Sequence, residues 1–319
     1  MQKEDFMNTT NNLKGSIILC IASFLWGLAF VAQSQAAGLV PPFIFNALRS
    51  FIGSLFLFAF LLITSKARRL PLFPTTVEGR KQALFGGTLC GILLAISVNF
   101  QQFGLSYYPA GVASEARAGF LTALYVVLVP VISIFIGQKV KLPVWIAVII
   151  AIGGIYLLSL SGGIENVYLG DVLVFFCAIS FSFHILTVDR FAAPVGGVLL
   201  SMLQFLVCGI ISLILSLCFE TIVWENVLAA TPQILYLGIV SSGIAYTLQI
   251  YGQQYAEPAI ASITMSLESV FAALGGWLIS GNTLSPREFF GCALVFAAIL
   301  LAQLPQFLEK KKVTPKKES

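Results

Sequence analysis

Glu268 lies near the middle of a long apolar stretch, where an ionised carboxyl group is expensive to keep and usually faces other protein or a watery cavity. Thr264, one helical turn earlier, shares its face, and Ala261 lies on the same stripe. A carboxyl group in that setting could take up and release a proton or a cation. It could equally be a protonated acid that donates a hydrogen bond to a neighbouring segment. Glu115 and Arg117 form a second pair of charges inside an apolar stretch. They are two residues apart, so on a helix they point to different faces and cannot simply pair. Arg117 has no acidic residue three or four positions away, and its planar guanidinium suits a carboxylate or phosphate. Facing a cavity, it would favour an anionic or zwitterionic ligand. At the edge of the apolar region it would instead extend its head group to water. The expectation carried forward is a carboxylate-bearing ligand at Arg117.

Uncharged polar residues cluster in two further stretches. Asn99, Gln101 and Gln102 crowd one, with Asn99 and Gln102, and Gln102 and Ser106, on common faces. In the other, Tyr246, Gln249 and Gln253 form a stripe at i, i+3 and i+7. Such groups either orient a polar ligand or bond helix to helix, each contact contributing roughly 0.6–2 kcal/mol in lipid. Trp26 and Phe24 could line a cavity, although most aromatic residues in so apolar a chain fill cores or face lipid. Arg49 reads as a structural or interface residue. His184, the one histidine, reads as a packing residue before it reads as a proton relay.

These residues must be held by about ten apolar segments running from Ser16 to Leu304: 16–36, 43–64, 82–106, 110–137, 143–161, 169–189, 196–219, 232–252, 258–280 and 286–305. A helix needs roughly 20 apolar residues to cross about 30 Å of hydrocarbon. The runs are continuous and not alternating, so they are helices and not barrel strands. The composition agrees: 319 residues, 58% hydrophobic and only 10% charged, with mean hydropathy +0.94, too little charge to cover a soluble core of this size. The expected fold is therefore an all-α membrane protein with ten transmembrane helices and no sizeable soluble domain. Pro109, Pro143, Pro232, Pro258 and Pro286 sit at segment starts, where the missing N–H costs nothing.

Positive charge sets the expected orientation. Fifteen Lys and Arg residues lie on one side: Lys3, Lys14, Lys66, Arg68, Arg69, Arg80, Lys81, Lys139, Lys141, Arg190 and the tail lysines at 310–312, 316 and 317; Arg287 alone lies on the other. Both termini are then cytoplasmic in a multi-pass protein of the cell membrane. The basic tail, residues 306–319, could touch anionic lipid, and such short basic loops exclude nucleic acid as a partner. The first apolar run exceeds the about 7–15 residues of a signal-peptide core, so despite small residues near Ser34–Ala37 it is read as a span. The six cysteines all fall in apolar segments without a CxxC spacing, as packing residues and not as disulfides or metal ligands.

The chain also repeats itself. At an offset of 155, Gly15 falls on Gly170, Trp26 on Phe181, Gly27 on Ser182 and Leu48-Arg49 on Leu203-Gln204. At 148, Gly104 meets Gly252, Tyr107 meets Tyr255 and Ala113-Ser114 meets Ala261-Ser262; at 144, Gly137 meets Gly281. Two units follow, 16–161 and 169–305, after a cytoplasmic N-terminus of residues 1–15. Five spans per unit force the second copy to be inverted, the architecture of secondary transporters with a midplane site.

These features resemble the drug/metabolite transporter superfamily, in particular its EamA-type members with ten spans. The resemblance rests on Gly15 to Trp26-Gly27, on Leu48-Arg49, on Gly119-Phe120-Leu121-Thr122 through Val129-Pro130, and on Leu267-Glu268-Ser269-Val270-Phe271-Ala272-Ala273-Leu274. Ser269 stands where the family has Pro, which leaves the family's kink without its usual residue. Gly137-Gln138 and Gly281-Asn282 lack the Glu that follows Gly in the family. The resemblance implies a secondary transporter that moves small metabolites, amino acids or related polar compounds, by alternating access, with efflux as its direction. Sugar, nucleotide-type or drug cargo on the same fold is the alternative. A non-catalytic membrane scaffold is the reading from another class, opposed by the intramembrane Glu and Gln stripes. The expected substrate residues are Trp26, Asn99, Gln102, Glu115, Arg117, Tyr246 and Gln249, with Glu268 as the coupling residue. Proton coupling is one driving force; the substrate gradient alone is the other. Peripheral fifth and tenth spans would support the core or a homodimer. No cofactor or metal is expected. An intramembrane enzyme is disfavoured, because the chain has no HExxH motif, no Asp pair in the spans and a single His.

Overall fold

In the computed structural model the chain is described over residues 2–69, 71–109, 114–138, 140–159, 167–280 and 285–312. The expected span end at Ser161, the repeat partners Ala113 and Gly281, and Asn282, Lys139, Lys316 and Lys317 lie outside the described residues. Among the described residues fourteen α-helices and one π-helical segment follow in order: α1 (Gln2–Ala36), α2 (Pro42–Arg68), α3 (Val77–Ser106), α4 (Ser114–Thr122), α5 (Tyr125–Phe135), α6 (Leu142–Ser159), α7 (Leu169–Val195), α8 (Gly197–Phe219), α9 (Trp224–Ala229), α10 (Thr231–Leu235), the π segment (Tyr236–Ala245), α11 (Tyr246–Gln253), α12 (Pro258–Met265), α13 (Leu267–Ser280) and α14 (Pro286–Lys312). This is an all-α membrane protein. Eight stretches among the described residues are long and apolar enough to cross a bilayer: Leu13–Ala36, α2, α3, α4–α5, α7, α8, α10–α11 and Pro258–Ile279. Two shorter apolar helices, Leu142–Leu157 and Phe289–Ala302, occupy the positions of the expected fifth and tenth spans.

Lipid is as apolar as leucine, so helices in a membrane are held together by close packing and polar bonds and not by apolar burial. Glycines supply the close packing here. A Cβ on Gly87 would stand 2.5 Å from that of Leu203, and one on Gly91 2.6 Å from that of Val207, which sets α3 tightly against α8. Two reciprocal contacts join the first part of the chain to the second. A Cβ on Gly15 would lie 2.8 Å from the carbonyl oxygen of Gly252, and one on Gly170 2.7 Å from that of Gly104. Thus α1 meets α11 as α7 meets α3. One buried apolar cluster ties α1, α2 and α3 to α7, α8 and α11. A second ties α4, α5 and α6 to α12, α13 and α14.

Three of the spans are interrupted, although the hydropathy pattern reads as continuous helix through each. Between α4 and α5, Leu124 N–H reaches Leu121 O at 3.3 Å and Val126 N–H reaches Ala123 O at 2.9 Å, a local tightening to i→i−3 bonds. Pro130 follows within α5, unable to donate to the carbonyl four residues back. Between α12 and α13 no proline is involved. Ser266 Oγ donates to Ile263 O at 2.7 Å and Ser269 Oγ donates to Ser266 O at 2.7 Å, so hydroxyls serve carbonyls that the helix leaves open. The ten-residue π segment is the third interruption; such segments are rare and frequent at functional sites. Its Gly238 packs on α2, where a Cβ would stand 2.6 Å from Ile52 Cγ2.

Candidate functional site

The three interruptions converge on one cavity. α1 contributes Trp26, Phe30 and Gln33; α2 contributes Arg49; α3 contributes Gln101; Thr122 and Tyr125 flank the α4–α5 break; α7 contributes Phe181 and Ile185; the π segment and α11 contribute Ser241, Tyr246 and Gln249; and Met265 and Glu268 flank the α12–α13 break. The walls therefore come from residues on both sides of the 160–168 connection. About 30 Å³ is open to the centres of water-sized molecules, room for about two waters at roughly 10–15 Å³ each. A metabolite would fit only after the walls move apart.

Glu268 is 5% exposed and its Oε1 accepts a 2.8 Å hydrogen bond from the Tyr125 hydroxyl, across the two helix breaks. The bond joins α13 to α5, one from each side of residues 160–168. Tyr246 stacks edge-on against Trp26 at 4.7 Å and against Phe205 at 5.1 Å, contacts that hold its ring on the cavity wall. Arg49 is 3% exposed. Its guanidinium makes one long bond, Nη1 to Gln33 Oε1 at 3.4 Å, and its Nε has no partner. The Trp26 indole nitrogen and Gln249 Oε1 are also without partners. The cavity thus holds one fixed cation, one carboxyl group, three amphipathic rings and several amides, enough to orient a small polar molecule.

Four of the residues singled out in the sequence, Trp26, Tyr246, Gln249 and Glu268, lie on this wall. The other four lie elsewhere. Asn99 is taken up in an interhelical network: its Oδ1 accepts from Asn46 at 2.9 Å, and its Nδ2 donates to Ala95 O at 2.8 Å and Ser212 Oγ at 2.9 Å. Gln102 is fully buried behind the wall and donates to Gln33 O at 3.3 Å. Glu115 accepts from Ser34 and Ser114, each at 3.2 Å, tying α4 to the end of α1.

Arg117 has a protein anion. Its Nε and Nη2 donate to the two carboxylate oxygens of Asp171 at 2.6 and 2.7 Å, a bidentate pair that links α4 to the start of α7. Asp171 also accepts from Tyr108 Oη at 2.9 Å and from Tyr168 N–H at 2.8 Å, and Arg117 lies 4.9 Å over the Tyr168 ring. Burial, with the Asp171 carboxylate beside it, pushes the Tyr108 phenol well above its ordinary range, so it remains a donor. The carboxylate expected at Arg117 is supplied by Asp171 of the protein itself, 54 positions away and so beyond any helical i±3 or i±4 spacing.

Gln101, one of the three amides that crowd α3, also lies on the wall, together with Arg49, Gln33, Thr122 and Tyr125, which helical spacing alone does not place there. One signal was available for Tyr125: the offset of 144 sets Leu124, its neighbour, on Glu268. Among the described residues no group of three or more His, Cys, Asp or Glu is arranged to hold a metal ion.

Comparison with known proteins places this arrangement in context. The model of the EamA-like transporter family matches residues 13–160 and again 168–304. An uncharacterized transporter of Archaeoglobus fulgidus is 28% identical over 288 residues, covering 90% of this chain and 84% of its own. The uncharacterized inner membrane transporter YedA of Escherichia coli K12 is 24% identical over 291 residues, covering 89% of each chain. Protein PecM of Dickeya dadantii is 27% identical over 231 residues, covering 71% of this chain and 76% of its own. A solved crystal structure shares the fold with a TM-score of 0.73 at 22% identity, covering 94% of this chain and 99% of that chain.

Proposed function

The chain belongs to the EamA-like transporter family, and we propose that it is a secondary transporter that carries amino acids or related small polar metabolites out of the cytoplasm by alternating access. Membrane transport of a small molecule across a lipid bilayer follows from the family. The cargo class, the direction and the mechanism are the reading offered here.

One observation carries it. The cavity is walled by helices from both parts of the chain, and the Glu268–Tyr125 bond crosses it where two spans are broken. Broken helices at a central site are where transporters expose backbone groups to cargo and coupling ions. Ten spans in two inverted five-helix repeats, 16–161 and 169–305, would make the two openings symmetry-related. The reciprocal Gly15–Gly252 and Gly170–Gly104 contacts are what such a repeat requires. Both termini would be cytoplasmic, which puts the Arg117–Asp171 pair at the external end.

Glu268 is assigned the coupling role. Proton exchange through it would draw on the pH gradient, and each charge crossing the membrane gains about 2.3 kcal/mol per 100 mV. The test is exchange in liposomes holding purified protein and a mixture of the twenty amino acids. The expected result is accumulation of at least one amino acid against an imposed pH gradient, with exchange retained and pH-driven accumulation lost in Glu268→Gln. No exchange of any of them would remove the amino-acid reading.

A further inference from the structure

Arg49 is a permanent cation held in the interior of the bundle, 3% exposed, on the wall of the central cavity. A buried charge is tolerated only when it is paired and hydrogen-bonded. Here the pairing is missing. The one hydrogen bond to Gln33 is 3.4 Å long and Nε has no partner. Among the described residues it forms no ion pair with a carboxylate. Glu268, the carboxyl group on the same wall, is engaged by Tyr125. Trp26 offers a second donor without a partner in the same cavity. The fork of Arg117, by contrast, is satisfied at both oxygens of Asp171.

We propose that Arg49 receives a carboxylate of the cargo, so that the substrates of this protein are small monocarboxylates, amino acids among them. The inference rests on the reading of the central cavity as the cargo site. A carboxylate is favoured over a phosphate because Arg49 is the one cation among the described residues of the cavity wall and balances a single negative charge. Its planar fork can donate to both oxygens of a carboxylate at once. In the occupied state the guanidinium would exchange a long amide contact for a charge-assisted pair. A cargo ammonium group, where present, would lie towards Glu268, the carboxyl group on the same wall.

The test is a thermal-shift titration of the detergent-solubilised full chain with matched probes. Glycine, alanine, leucine, pyruvate and lactate are each compared with the corresponding amide, and sodium chloride is titrated alone. The expected result is protection by at least one carboxylate, with its amide weaker by about 30-fold or more, the loss expected when a desolvated charged partner is removed. Arg49→Lys should weaken the carboxylate and Arg49→Gln should abolish the preference over the amide. The wild-type comparison needs no variant, so the inference stays testable if Arg49→Gln fails to fold. Equal protection by acids and amides would overturn the role of Arg49 and leave the cavity as the cargo site. The same holds if chloride alone protects through Arg49. Protection by no probe at all would overturn both.

Discussion

At the scale of single residues, Glu268 and Arg117 have opposite fates. Glu268 faces the cavity and is held by one hydroxyl donor, Tyr125. Glu268→Gln keeps the shape and an acceptor but cannot titrate, so pH-driven transport should fall at least tenfold while cargo protection in a thermal shift survives. An unchanged pH dependence would return Glu268 to a packing role. Arg117 pairs with Asp171 away from the cavity. Arg117→Gln should lower thermal stability by about 1.5–3 kcal/mol, the range of a hydrogen bond between charged groups, and leave cargo affinity unchanged. Loss of affinity without loss of stability would restore Arg117 to the cargo. The sequence showed which polar residues lie in the membrane, because their cost there is set by the apolar run around them. It did not show which of them face the cavity. Asn99 and Gln249 look alike in sequence, yet Asn99 finds Asn46 and Ser212 on other helices and Gln249 Oε1 finds none. That outcome depends on helix rotation and on partners more than 50 positions away, which helical spacing does not encode.

At the scale of elements, hydropathy located the spans well and their interruptions poorly. The breaks at 123–124 and 266 leave the apolar run intact, since serine hydroxyls and i→i−3 bonds replace the helical pattern without adding charge. The π segment leaves no compositional mark that periodicity detects. Close packing can be tested on two adjacent glycines of α6. A Cβ on Gly153 meets nothing within 4 Å, while one on Gly154 would stand 2.8 Å from Gly291 O. Gly153→Ala should be neutral or raise stability by up to about 1 kcal/mol, and Gly154→Ala should lower it by about 1–3 kcal/mol. Thermal unfolding of both variants checks this, and equal effects would contradict the α6–α14 packing. A second test concerns the start of α2. Its N–H groups at Phe43 and Ile44 donate to the two carboxylate oxygens of Glu220 at 2.7 and 2.8 Å, a cap supplied from the end of α8. Glu220→Ala should cost about 1–2 kcal/mol, the value of a lost N-cap, and Glu220→Gln less, because one acceptor remains. An unchanged melting temperature in Glu220→Ala would show that water replaces the cap.

At the scale of the whole molecule, the account requires a particular orientation and a moving pair of halves. The excess of Lys and Arg predicts that Lys66 lies inside and the α8–α10 connection outside. In a background without the six native cysteines, a cysteine at Glu225 should be labelled from outside intact cells and one at Lys66 should not; both positions are exposed. The reverse pattern would invert the protein and with it the direction assigned to transport. The measurement that bears most directly on alternating access uses Ser241, which lines the cavity and is 2% exposed. A single cysteine there, in oriented liposomes that retain a trapped small dye, is exposed to a membrane-impermeant thiol reagent from one face or the other. Alternating access predicts labelling from either face, with the dye retained throughout. Labelling from one face alone, or from neither, would contradict it.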